Sequence, residues 1–208
     1  MASAGLRERN KQKMRTAISD VATRLFIEHG FDNVTVAEIA EAAGVSTMTV
    51  FNYFQKKEDL FFDRKGEAVA FIRKSLTERK RDESPMAILR RLTFDLLKKT
   101  QESPAELLAF WDAVVQSASL QARARELRDH SVANIANLLA DAVGRSTPDA
   151  EAQLISSILI ATWQTALMES IRLYRQGRSP AKNRNVIRRI LDRGLKAVSS
   201  AAAGTPYG

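Results

Sequence analysis

Apolar residues recur every three to four positions along almost the whole chain. Ile18, Ala22, Leu25 and Phe26 share one face of a segment from about Lys11 to Glu28, the period of an amphipathic helix. His29-Gly30 closes that segment, because glycine takes the left-handed conformation after a helix at little cost. Two short helices are predicted at about 36–43 and 47–54, then a long one at about 57–79. Further helical runs follow at about 85–101, 104–117, 120–143, 148–175 and 180–200. No segment alternates apolar and polar residues with β-branched enrichment, so no sheet is expected. The pattern predicts an all-α fold of about nine helices.

Polar punctuation sharpens the boundaries. Ser84-Pro85, Ser103-Pro104, Thr147-Pro148 and Ser179-Pro180 each place a hydroxyl at a helix N-cap and proline at the first turn. The hydroxyl accepts from an otherwise orphaned N–H, and proline has no N–H to orphan. Thr35 with Glu38 three residues on reads as a capping box. Gly44 permits a tight turn, and Ser46 caps the helix that follows. Ile39, Ala40, Val45, Val50 and Phe54 are the inward residues of this pair, against Leu25 and Phe26.

Helix, tight turn and second helix make the layout of a helix-turn-helix DNA reader. Its outward residues fit that chemistry. Thr35 and Ser46 place helix N-termini, with hydroxyls, where a phosphate could sit. Thr47 and Thr49 offer a methyl or a hydroxyl to base edges, Met48 only apolar contact, and Phe51 a ring for a thymine methyl. Asn52 lies on the same helix, and Tyr53 and Lys57 are expected on flanking phosphates. No Arg or Gln occupies this helix, so apolar contacts, water and DNA shape carry more of the selectivity than bidentate bonds.

The stretch resembles the TetR family of transcriptional regulators. The residues that carry the resemblance are Gly30-Phe31, Thr35-Val36, Ile39-Ala40, Ala43-Gly44-Val45-Ser46, Phe51, Tyr53-Phe54, Lys57-Glu58 and Leu60, and it covers about residues 13–62. Phe51 stands where the family more often has tyrosine, so a hydroxyl contact is lost. Lys56 stands where a small capping residue is frequent. The resemblance implies a three-helix DNA-binding domain (1–62) and a helical ligand-binding and dimerisation domain (63–200). The small-residue tail 201–208 is expected to be disordered.

In the family the last two long helices form a four-helix bundle across a twofold axis. That implies a homodimer interface of Ile155, Ile158, Leu159, Thr162, Val186, Ile187, Ile190 and Leu191, with the chain's own core as the competing use of those faces. A pseudo-palindromic operator would follow from the twofold symmetry. For a small-molecule effector, Phe71, Phe94, Leu97, Trp111, Val115, Asn134, Asn137, Trp163 and Gln164 are the candidate pocket residues, apolar walls with a few amides.

Charge adds one detail. The chain of 208 residues carries a formal +8, a sign that suits a polyanionic partner. Residues 1–65 hold 10 Lys or Arg against 9 Asp or Glu, leaving 22 against 15 beyond, so bulk charge does not mark the N-terminal part. The local cluster does: Arg7, Arg9, Lys11 and Lys13, with Arg15 following, form a candidate arm along phosphates or into a minor groove. Arg184, Arg188, Arg189, Arg193 and Lys196 read as a solvated face of the last helix. With no cysteine and only His29 and His130, no catalytic constellation or metal site is legible, and no cofactor is expected. No signal peptide and no apolar run near the ~20 residues of a membrane span are apparent, so a cytoplasmic protein is expected. The leading expectation is a homodimeric repressor released from its operator by a small molecule. An activator of the same fold, or a helical adaptor that binds only protein, is the alternative.

Overall fold

The computed structural model describes the backbone of residues 2–63, 65–80, 83–100 and 104–208, with the side chains of these except residues 2–8, 65–70, 99–100, 104, 106 and 180. Ten helices and no strands lie among the described residues: α1 Ala2–His29, α2 Val36–Ala42, α3 Thr47–Tyr53, α4 Lys57–Phe61, α5 Lys65–Thr77, α6 Pro85–Thr100, α7 Pro104–Gln116, α8 Ala118–Ala142, α9 Ala150–Arg175 and α10 Pro180–Ala202. They fall into two compact units. One comprises residues 1–66 and 113–123, the other 67–112 and 124–208. Residues 113–123, which the sequence places with the second domain, therefore pack with the first.

The predicted long helix 57–79 is two helices. α4 stops at Phe61, Phe62 leaves the helical region at φ −98° and ψ 9°, and α5 starts at Lys65. A tertiary ion pair accounts for the break better than any local breaker. Asp63 in the turn is held by Arg15 of α1, with Nε donating to Oδ1 at 2.8 Å and the second nitrogen at 2.6 Å. The first helix is longer than predicted, running from Ala2, so Arg9, Lys11 and Lys13 ride on a helix and not on an extended arm. α9 is capped by Asp149, whose carboxylate accepts from the Ala152 N–H at 2.9 Å, and not by Thr147.

In the first unit, Ile18, Ala22 and Phe26 of α1, Ile39 and Ala40 of α2, Val50 and Phe54 of α3 and its end, and Leu60 of α4 are buried. Phe26, Phe31, Phe61 and Phe62 add a chain of tilted and edge-on rings with centroids 4.9–6.1 Å apart. In the second unit one apolar cluster joins Met86 and Leu89 of α6, Ile135 and Leu139 of α8, Ile155 and Leu159 of α9, and Leu195 and Val198 of α10. A second joins Ala166 and Leu173 to Ile187 and Leu191. α9 and α10 approach so closely that a β-carbon on Gly194 would lie 2.1 Å from Thr162 Cγ2.

Two expectations about this unit change. By length and composition α9 is apolar enough to cross a membrane, but its apolar side belongs to the clusters it shares with α10. The tail 201–208 is folded, not loose. α10 reaches Ala202, and Tyr207 is fully buried with its hydroxyl donating to Asp149 Oδ1 at 3.0 Å. A buried phenol ring outweighs the small-residue composition that suggests disorder.

Candidate nucleic-acid interface

The turn between α2 and α3 is closed at both ends by short-range hydrogen bonds. At the end of α2, Val45 N–H donates to Ala40 O at 2.9 Å and Gly44 N–H to Glu41 O at 3.0 Å, the Schellman pattern. Gly44 takes φ +66°, which a side chain would resist. Ser46 Oγ then accepts from the Thr49 N–H at 3.0 Å and shares a 2.8 Å hydrogen bond with Thr49 Oγ1. α3 thus starts one fixed turn after α2 ends. Val50 and Phe54 are 1% and 2% exposed and seat it on the core.

The outward face of α3 carries Thr47, Met48, Phe51 and Asn52, all exposed. Thr49 and Tyr53 are half-buried, and the Thr49 hydroxyl is occupied by the Ser46 cap. The backing of this helix is more elaborate than its sequence suggests. Arg15 donates to the Tyr53 carbonyl at 2.7 Å while it grips Asp63, and its guanidinium lies 4.3 Å from the centre of the Phe54 ring. One α1 side chain thereby ties the last residue of the reading helix to the turn after α4.

Two candidate phosphate groups also have partners within the protein. Lys57 Nζ donates to the Val34 carbonyl at 2.7 Å and stands 4.2 Å over the Phe31 ring. It braces the loop before α2. At Thr35 the capping box is complete: Glu38 Oε2 accepts from both the Thr35 N–H and hydroxyl, and the Glu38 N–H donates to Thr35 Oγ1. These hydrogen bonds hold the Glu38 carboxyl below its usual range. A carboxylate thus already occupies the N-terminus of α2, whereas the first turn of α3 holds no acid. Of the basic cluster, Arg9, Lys11 and Lys13 are exposed on α1, and the Arg7 side chain lies outside the described residues.

The residues 113–123 complete this unit. Ser117, between α7 and α8, is 2% exposed and donates to Asp32 Oδ1 at 2.8 Å. Arg123 of α8 makes a two-nitrogen grip on Asp59 Oδ1, at 2.9 and 2.6 Å, while Asp59 Oδ2 accepts from the Lys56 N–H at 3.1 Å. Asp59 therefore supplies the carboxylate half of a capping box at Lys56, whose own side chain makes no cap hydrogen bond, and anchors α8 at once. Sequence reasoning set Arg15 beside the basic arm and missed its role, and it missed the roles of Asp32, Asp59, Ser117 and Arg123. Glu58 and Leu60 around Asp59 were the nearest signal.

The other candidates lie in the second unit, apart from Val115. Ile155, Leu159, Thr162, Ile187 and Leu191, expected at a dimer interface, are buried in the chain's own core, while Ile158, Val186 and Ile190 are half-buried. The exposed apolar residues of α9 are instead Leu154, Ala161 and Met168, with Ile158 between them. The pocket candidates are not all brought together. Phe71, Asn134, Asn137 and Gln164 are exposed, and Val115 is exposed in the first unit. Phe94 and Trp163 pack on the large cluster and Leu97 on the smaller one, all three half-buried. Trp111 stacks edge-on with Phe110 at 5.5 Å. The Arg188 guanidinium stands 5.7 Å over the Phe94 ring.

Residues 18–63 match the family model described as bacterial regulatory proteins, tetR family. The HTH-type transcriptional regulator AcrR of Shigella flexneri is 44% identical over 50 residues, 24% of this chain and 23% of the relative. The curated relatives are matched over about a fifth to a half of their own length. Among solved structures, Thermus thermophilus FadR, a TetR-family transcriptional repressor in complex with lauroyl-CoA, is 25% identical with a TM-score of 0.54, covering 86% of this chain and 94% of that one. NalD, the secondary repressor of the MexAB-OprM multidrug efflux pump in Pseudomonas aeruginosa, shares the fold at 21% identity and a TM-score of 0.55, over 89% and 97% of the two chains.

Proposed function

The chain belongs to the TetR family of transcriptional regulators, and from that premise we propose that it is a homodimeric repressor released from a DNA operator by a small-molecule effector. The observation that carries this reading is the outward face of α3. Thr47, Met48, Phe51 and Asn52 are exposed together on a helix that is capped, turned and braced from behind. Such a helix enters a major groove with its starting residues against base edges. The protein works in the cytoplasm, where the chromosome is, and performs no chemistry of its own.

One reading helix of seven residues gives little affinity, so a second copy is required. Its docking face is the stripe of exposed Leu154, Ala161 and Met168 on α9, with half-buried Ile158 between them. Leu154, Ala161 and Met168 recur at helical spacing on the side opposite the buried Ile155, Leu159, Thr162 and Ala166. A dimeric helix-turn-helix reader takes half-sites about one turn, ~34–36 Å, apart.

The effector site lies on the half-buried side chains Phe94, Leu97 and Trp163, with Arg188 at their edge. Apolar walls beside one guanidinium suit a ligand with an apolar body and an anionic head. The lauroyl-CoA bound by the Thermus thermophilus neighbour has that character. Its signal travels through α5, α7 and α8, each of which has residues in both units. Arg123 on Asp59 and Ser117 on Asp32 are where α8 and its start hold the reading unit.

The test is a gel-shift titration of the full chain against duplexes from the DNA flanking its own gene. A salt-sensitive, sequence-specific shift is expected, reversed by long-chain acyl-CoA. No specific shift with any of these duplexes would sink the reading. A specific shift that acyl-CoA leaves intact would refute the effector class alone.

A further inference from the structure

The reading surface is unusual in what it keeps in water. Met48 is 70% exposed and Phe51 47%. Both belong to the outward face of α3, between Thr47 and Asn52. Neither can form a strong hydrogen bond: a thioether is a weak acceptor and a phenyl ring has no polar atom. Of the other side chains on this helix, Thr49 spends its hydroxyl on Ser46, and Asn52 is the sole amide. An interface that read bases by hydrogen bonds would leave Met48 and Phe51 facing polar edges with nothing to give them.

The major groove offers one apolar group, the thymine 5-methyl. Met48 is long and conformationally adaptable, so its terminal methyl can follow a groove wall. Phe51 sits one turn further along the same face and adds a flat apolar edge. We infer that the reading helix identifies its half-site through thymine methyl groups, with Met48 and Phe51 as the specificity-determining residues. This rests on the DNA-reading function proposed above. Asn52 and the Thr47 hydroxyl remain for hydrogen bonds to base edges. The helix therefore selects thymine at the positions that Met48 and Phe51 meet.

The test begins with the full-length protein and a pool of random duplexes. The bound fraction is sequenced after repeated enrichment. Thymine is expected at two or more positions in each half-site. The enriched operator is then made again with deoxyuridine in place of thymine at each of these positions. That change removes the methyl and leaves every base-pairing and hydrogen-bonding group in place. Burying one methyl group corresponds to about a fourfold change in affinity, so wild-type protein should lose about fourfold at each contacted position. Met48→Ala and Phe51→Ala should each bind the thymine operator more weakly and no longer respond to deoxyuridine at one position. Both side chains are exposed, and unchanged thermal unfolding of each variant is part of the experiment. Met48→Leu keeps an apolar end and should keep the methyl response, whereas Met48→Gln should lose it.

A specific operator bound equally well with thymine or deoxyuridine would overturn the inference and leave the DNA-reading function standing. Failure of the pool to enrich any sequence would remove both. If the two variants bind operator normally but lose a protein partner, the exposed pair is a protein-docking patch and the inference falls.

Discussion

Arg15 and Glu38 show how much of the reading head's geometry rests on single side chains. Arg15 meets a carbonyl, a carboxylate and a ring at once, and Asp63 is largely shielded beside it. Replacing it with glutamine leaves Asp63 without its cation, a loss of about 1–3 kcal/mol. Arg15→Gln should therefore lower thermal stability and weaken operator binding with no change in the salt slope. A salt slope reduced by about one unit would mean that Arg15 touches phosphate instead. Glu38 carries a pH signature. Its carboxyl is depressed by hydrogen bonds to Thr35, so its contribution to stability is complete above glutamate's ordinary titration and lost as pH falls through the depressed value. Glu38→Gln can keep the reciprocal cap without a titrating group. Unfolding temperatures measured down an acid series should fall less steeply for this variant than for the wild type, and parallel curves would refute the assignment. The caps were legible in the sequence because their partners stand three residues apart. The roles of Arg15 and Lys57 were not, because their partners lie 48, 38 and 23 residues away.

At the scale of helices, periodicity found the elements but not always their ends or their outside. The run from Lys57 onward has no Gly or Pro before Gly66, so nothing local marked the break that Asp63 and Arg15 impose. α9 carries apolar residues on two sides, and spacing alone cannot say which side meets the chain's own core. The structure assigns Ile155 and Leu159 to that core and leaves Leu154 and Ala161 outside. Gly194 shows how tight the inner side is. Alanine there gains up to about 1 kcal/mol of helix propensity. Its β-carbon, however, would lie 2.1 Å from Cγ2, 2.2 Å from Oγ1 and 2.7 Å from Cβ of Thr162. Overpacking of that kind costs about 1–3 kcal/mol, so the clash wins. Gly194→Ala should lower the unfolding midpoint, and adding Thr162→Ala should recover part of the loss. A neutral or stabilising Gly194→Ala would show that α9 and α10 part without cost.

For the molecule as a whole, the reading head was legible before any coordinates, and its wiring was not. Gly44, Ser46 and the apolar spacing of α1 to α3 specify a local fold. The seat of Ser117 and Arg123 on that fold joins residues 85 and 64 positions apart, which no local pattern encodes. Asp59→Asn keeps an acceptor for the Lys56 N–H but removes the charge that Arg123 grips. A double-mutant cycle of Asp59→Asn with Arg123→Ala, read by urea unfolding, should give a coupling of about 1–3 kcal/mol. Additive single variants would mean that the pair contributes nothing to the seat.

The split composition of the first unit, residues 1–66 and 113–123, also bears on how the protein is made. A ribosome adds roughly 5–20 residues per second, so some seconds separate the synthesis of α4 from that of Arg123. During that interval Asp32 and Asp59 have emerged and their partners have not. The nascent reading head waits without these two clasps and gains them only when Ser117 and Arg123 arrive.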